Sequence, residues 1–199
     1  MELKPHLKQV LLYLKEVFDL DINLKGESLI IAGSGNVAWN IYRFASILGY
    51  DITVIDNRAE TLTRERFPQA SRLLLGDIVA LLKDCEITPT TSIVVVTHNH
   101  EFDEPVLQAI IKSPARYIGI MGNKRKVTAY LANLKALGVE DEHIEKIHLP
   151  IGLDLGGELS ADIALAAVAE IQAVRFGRPG GFVSIQDVTR TNQVHDDLY

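Results

Sequence analysis

Four stretches of this sequence combine residue types that could do chemistry, and each suits the holding of an anionic ligand. In Gly33-Ser34-Gly35-Asn36-Val37-Ala38 two glycines are spaced by one residue, and a small residue follows three positions later. At a strand-to-helix turn Gly33 permits the sharp bend, Gly35 lets a phosphate approach the backbone, and Ala38 lets helix and strand pack closely. The helix start then offers unpaired N–H groups and partial positive charge to an anion. Asp56 stands 56 − 35 = 21 positions beyond the second glycine, where the ribose-binding acid of a dinucleotide site falls. In that role it would accept ribose hydroxyls and favour NAD, while Arg58 leaves NADP open.

The second stretch is Thr97-His98-Asn99-His100, at the end of a strongly apolar run. Two histidines two apart are either metal ligands, with Asp103 or Glu104 nearby, or hydrogen-bonding groups for a ligand or the next helix. No unambiguous third ligand accompanies them, so they are read as ligand contacts without a metal. The third is Gly122-Asn123-Lys124-Arg125-Lys126, which sets three cations in the first turn of a helix. The backbone dipole is already positive there, and each cation costs about 0.3–1 kcal/mol unless an anion is bound. A phosphate held by Lys124, Arg125 and the backbone resolves the conflict; side chains extended into water are the alternative. The fourth is His148 to Glu158, whose glycines, Asp154 and Glu158 suit a loop closing over a ligand.

The elements that must position these residues follow from the apolar pattern. Strands are expected at Leu29–Ala32, Ile52–Asp56, Leu73–Leu75, Ser92–Thr97, Tyr117–Met121 and Ile147–Leu149. Helices are expected at 36–48, 77–83, from a first turn that holds Pro105, from a first turn that holds Lys124 to Lys126 up to Gly138, at 140–146 and at 160–176. The last is apolar almost all round, which places it centrally or beneath another subunit. Residues 3–18 carry one apolar stripe, that of an amphipathic helix. Such alternation predicts an α/β protein: a Rossmann-like doubly wound parallel sheet with an extra N-terminal helix. The expected divisions are 1–24 for that helix and its linker, 25–178 for the Rossmann-like domain, and 179–199 for a C-terminal arm. In this fold the ligand lies at the carboxyl ends of the strands.

Composition narrows the class further. The 199 residues carry a formal charge of −6, so no global positive field draws the protein to nucleic acid. The single cysteine, Cys85, excludes an internal disulfide and a cysteine-based zinc site, and reads as a spectator thiol. No leader and no membrane-length apolar run is evident, so a soluble, cytoplasmic protein is expected.

Taken together, Val95-Val96-Thr97-His98-Asn99-His100, Gly119 to Lys126 and His148 to Gly156 resemble motifs of the XdhC/CoxI family. These are accessory proteins of xanthine dehydrogenase and related molybdenum hydroxylases, and the resemblance runs from about Ser28 to Arg178. It implies a maturation role: binding and protecting molybdenum cofactor, assisting its sulfuration by a partner desulfurase, and delivering it to the apo-hydroxylase. The positions carried over as binding candidates are Gly33, Gly35, Asp56, His98, His100, Lys124, Arg125 and Asp154. Ser34, Asn36, Arg58, Thr97 and Gly122 adjoin them. Many family members also carry an N-terminal domain with a cysteine motif that has no counterpart here, and a separately encoded partner is expected to supply it. Two other readings stay open, an NAD(P)-dependent oxidoreductase using His98 or His100 as proton donor and a nucleotide-sensing module. A homodimer is expected from the two apolar helices.

Overall fold

The computed structural model describes residues 26–98, 103–122, 133–136 and 138–182. Six parallel strands form one sheet in the order β3-β2-β1-β4-β5-β6. They are β1 (Ser28–Ala32), β2 (Asp51–Asp56), β3 (Arg72–Leu75), β4 (Thr91–Val95), β5 (Tyr117–Ile120) and β6 (Ile147–His148). The crossovers contain α1 (Asn36–Ile47), α2 (Ile78–Lys83), α3 (Asp103–Ile110) and α4 (Asp141–Ile144), and α5 (Ser160–Arg175) follows β6. Residues 133–136 are also helical. This is the expected doubly wound fold, with strand order reversing between β1 and β4, where such sheets open a crevice.

Side chains alternate between two cores because successive Cβ atoms point to opposite faces. Leu29, Ile31, Val54 and Val94 face α1 and α5. Ile30, Ala32, Ile55, Ile93 and Val95 face α2 and α3. Both faces are covered, which is why the central strands read as unbroken apolar runs. Helix α5 takes the central position expected of it. It packs on α1 and the sheet through Ala164, Ala167, Val168 and Ile171, and turns Leu165 outward at 49% exposure.

Strand β4 is shorter than its apolar pattern. The Val96 N–H still donates to Ala32 O at 2.9 Å, and β1 then turns into α1 at Gly33. The amphipathic stretch at 3–18 lies outside the described residues, as does most of the expected C-terminal arm.

Candidate functional site

The β1–α1 turn is held from several sides. The Gly33 N–H donates to Ile55 O at 2.8 Å. Gly33 has φ +118°, and a Cβ there would stand 2.5 Å from Val96 O. Glycine is therefore required by the contact between the β1 and β4 tips. Gly35 differs. It is the N-cap of α1 with φ −71° and ψ −169°, a conformation open to any residue. A Cβ on it would have no atom within 4 Å. Among the described residues no side chain caps this helix start, and no acid lies in its first turn, so neither offsets the positive end of the helix dipole. Ala38 is fully buried, as close helix–strand packing requires.

Asp56 lies at the β2 tip, 1% exposed. Its Oδ2 accepts from Ser34 N at 2.6 Å, Ser34 Oγ at 2.7 Å and Arg58 Nη2 at 2.8 Å. Its Oδ1 accepts from Arg58 N at 3.0 Å and Arg58 Nε at 3.1 Å. Burial alone would raise this carboxyl's pKa, but the Arg58 and Ser34 hydrogen bonds outweigh burial and hold it at about 2. Ser34 is fully buried, its hydroxyl also 2.5 Å from Thr61 Oγ1. Beside the turn, Arg66 Nη2 donates to Ser34 O at 3.4 Å, and Trp39 Nε1 donates to Arg66 O at 3.2 Å. Asn36, Trp39, Thr63 and Arg66 line an open cleft here.

The segments that carry the other predicted residues leave the strands at the same carboxyl edge of the sheet. Met121 N donates to Val95 O at 2.9 Å, and Ile151 N to Ile120 O at 3.0 Å. These bonds carry the ladder one step past the strands, so the segments after β1, β4, β5 and β6 leave as lateral neighbours. Thr97 is buried and His98 exposed after β4. Gly122 is half-buried after β5, where a Cβ would meet Leu149 Cδ1 at 2.8 Å. Asp154 is exposed in the segment after β6. His100, Lys124 and Arg125 lie outside the described residues. A cleft of about 690 Å³ lies at the opposite end of the sheet, bounded by Ser28, Asp51, Arg72 and Thr90.

One cluster was missed in the sequence. Glu170 on α5 accepts from Tyr117 Oη at 2.5 Å and Gly152 N at 2.9 Å, and His148 Nδ1 lies 3.1 Å from its other oxygen. The Tyr117 and His148 rings stack at 4.4 Å. Burial opposes ionisation of Glu170, but contacts from His148, Tyr117 and Gly152 prevail and lower its pKa. Burial and the adjacent Glu170 push the Tyr117 hydroxyl well up, so it stays protonated. An acid between Ala169 and Ile171 in an apolar helix was the available signal. Cys85 is half-buried, and burial raises its thiol pKa.

Comparison with known proteins agrees with this architecture. The chain is 34% identical over 156 residues to the uncharacterised protein YqeB of Escherichia coli (strain K12), covering 78% of this chain and 28% of that one. It is 26% identical over 147 residues to a protein of Bacillus subtilis (strain 168) described as a probable xanthine dehydrogenase subunit, covering 74% and 42%. It is 28% identical over 99 residues to the molybdenum cofactor insertion chaperone PaoD of E. coli (strain K12), covering 50% and 31%. The crystal structure of a xanthine dehydrogenase from Bacillus halodurans superposes with a TM-score of 0.68 at 25% identity, covering 86% of this chain and 52% of that one. The chain thus spans about half or less of the length of these relatives. The sequence profile of the XdhC Rossmann domain matches residues 29–171, and on that match the chain belongs to the XdhC family.

Proposed function

We propose that this chain holds molybdenum cofactor, as cargo, at the carboxyl edge of its sheet and passes it to a molybdenum hydroxylase of the xanthine dehydrogenase type. The observation that carries the reading is Gly35: among the described residues, none fills the space its missing Cβ leaves, at a helix start that none of their side chains caps. An anionic group of the cofactor fits that place, held by the first-turn amides of α1. Thr97, His98, Gly122 and Asp154 follow the strand ends at this edge, and the reading takes His100, Lys124 and Arg125, which lie outside the described residues, as further contacts to the cargo. The chaperone name of one relative and the xanthine dehydrogenase names of two others support the class of cargo and recipient.

In this reading the protein works in the cytoplasm, assists sulfuration of the bound cofactor by a partner desulfurase, and pairs with a second copy. Exposed Leu165 and Phe176 support pairing. Thermal-shift titration of the full chain with molybdenum cofactor, NAD and NADP tests the proposal. Selective stabilisation by molybdenum cofactor is expected. Tight NAD(H) binding with hydride transfer to a substrate would overturn it in favour of the oxidoreductase. Replacing Lys124 and Arg125 together by Ala should weaken cofactor binding at least tenfold, and unchanged affinity would place those cations in solvent.

A further inference from the structure

We infer that Asp56 is a positioning residue for the Gly33–Gly35 turn and not a ribose contact, so the strand-edge site selects its ligand by an anionic group and is indifferent to a ribose 2′-hydroxyl. This rests on the cargo-holding reading and deepens it. An ionised carboxylate offers about four lone-pair sites. Asp56 already receives five donors, two from Ser34 and three from Arg58. A ribose hydroxyl could be accepted only by displacing one of them, which exchanges one hydrogen bond for another at a buried charge and leaves no net gain.

What Asp56 does hold is the turn. It draws the Ser34 amide inward, while Arg66 Nη2 holds the Ser34 carbonyl and Ile55 O holds the Gly33 amide. Both peptide units flanking Ser34 are thereby anchored to β2 and the segment after it. Gly35 is left as the helix cap at which an anion arrives.

The test compares wild type, Asp56→Asn and Ser34→Ala as full chains, by calorimetric titration at 10 °C with circular dichroism confirming the folded state. The probes are inorganic pyrophosphate, ADP and 2′-deoxy-ADP. Wild type should bind ADP and 2′-deoxy-ADP within twofold of each other. Asp56→Asn should weaken all three probes by a common factor of tenfold or more, and Ser34→Ala by a smaller common factor. Should Asp56→Asn fail to fold, Ser34→Ala carries the comparison. A tenfold wild-type preference for ADP that vanishes in Asp56→Asn would make Asp56 a ribose contact and overturn the inference. Folded variants with undiminished pyrophosphate affinity would reduce Asp56 to a stability element and overturn it equally. If wild type binds none of the probes, the anion-holding reading itself fails, and this inference with it.

Discussion

Alanine at Gly35 and alanine at Gly33 should have opposite consequences, although the two glycines are a single residue apart. At Gly35 the backbone is extended and the added methyl meets no protein atom. Loss of a glycine cap costs the helix roughly 0.5–1 kcal/mol, and the stiffer unfolded chain returns roughly 0.4–1 kcal/mol. The net change lies within about 1 kcal/mol, or about 2–4 °C in melting temperature for a chain of this size. A ligand anion would meet that methyl directly. Displacing it from two amide donors forfeits about 3 kcal/mol in all, which is about a hundredfold in affinity. At Gly33 the φ of +118° is strained for any side chain, and the methyl would lie 2.5 Å from Val96 O. Backbone strain and overpacking together cost roughly 2–6 kcal/mol, a large share of a typical domain's stability. Thermal unfolding by circular dichroism and titration with molybdenum cofactor read the two effects separately. A Gly35→Ala protein that melts more than about 5 °C lower, or that binds with undiminished affinity, would refute the claim that this glycine serves a ligand.

Other perturbations probe the surrounding structure. Asp56 titrates near 3.8 when unfolded and at about 2 when folded, so its contribution is complete above pH 4 and is lost as pH falls through 2. That is about 2 kcal/mol, seen as a pH-dependent drop in urea-unfolding free energy over this window that Asp56→Asn should lack. Glu170→Gln should destabilise the protein by about 1–3 kcal/mol, because a neutral amide cannot replace the charge-assisted contacts with Gly152 and His148. Chemical denaturation reads this, and an unchanged midpoint would show the cluster to be dispensable. The folded pKa of Glu170 is lowered, so its contribution is present above its unfolded pKa and lost as pH falls through the folded one. Cys85 should react with iodoacetamide at least about tenfold more slowly in the native protein than in urea, since burial suppresses its thiolate; equal rates would refute that assignment.

Much of the fold was legible in the chain because it rests on local regularities. β-Branched runs such as Ser92-Ile93-Val94-Val95-Val96, alternating with helical stripes, lead to a parallel doubly wound sheet, and right-handed crossovers put the glycine turn at its carboxyl edge. Gly33, Gly35 and Ala38 were identifiable because their spacing falls within a single strand-to-helix turn. The sequence also placed a lone acid, Glu170, in an apolar helix without saying what it meets. Only the tertiary structure decided how the polar groups are spent. Asp56 is engaged by Ser34, 22 positions away, and Glu170 by Tyr117, 53 away. The different reasons for Gly33 and Gly35 also emerge only once Val96 lies beside the turn. Spacing along a chain can bring a carboxylate to a strand tip, but its lone pairs go to whichever donors the packed elements set within about 3 Å, and those arrive from distant segments.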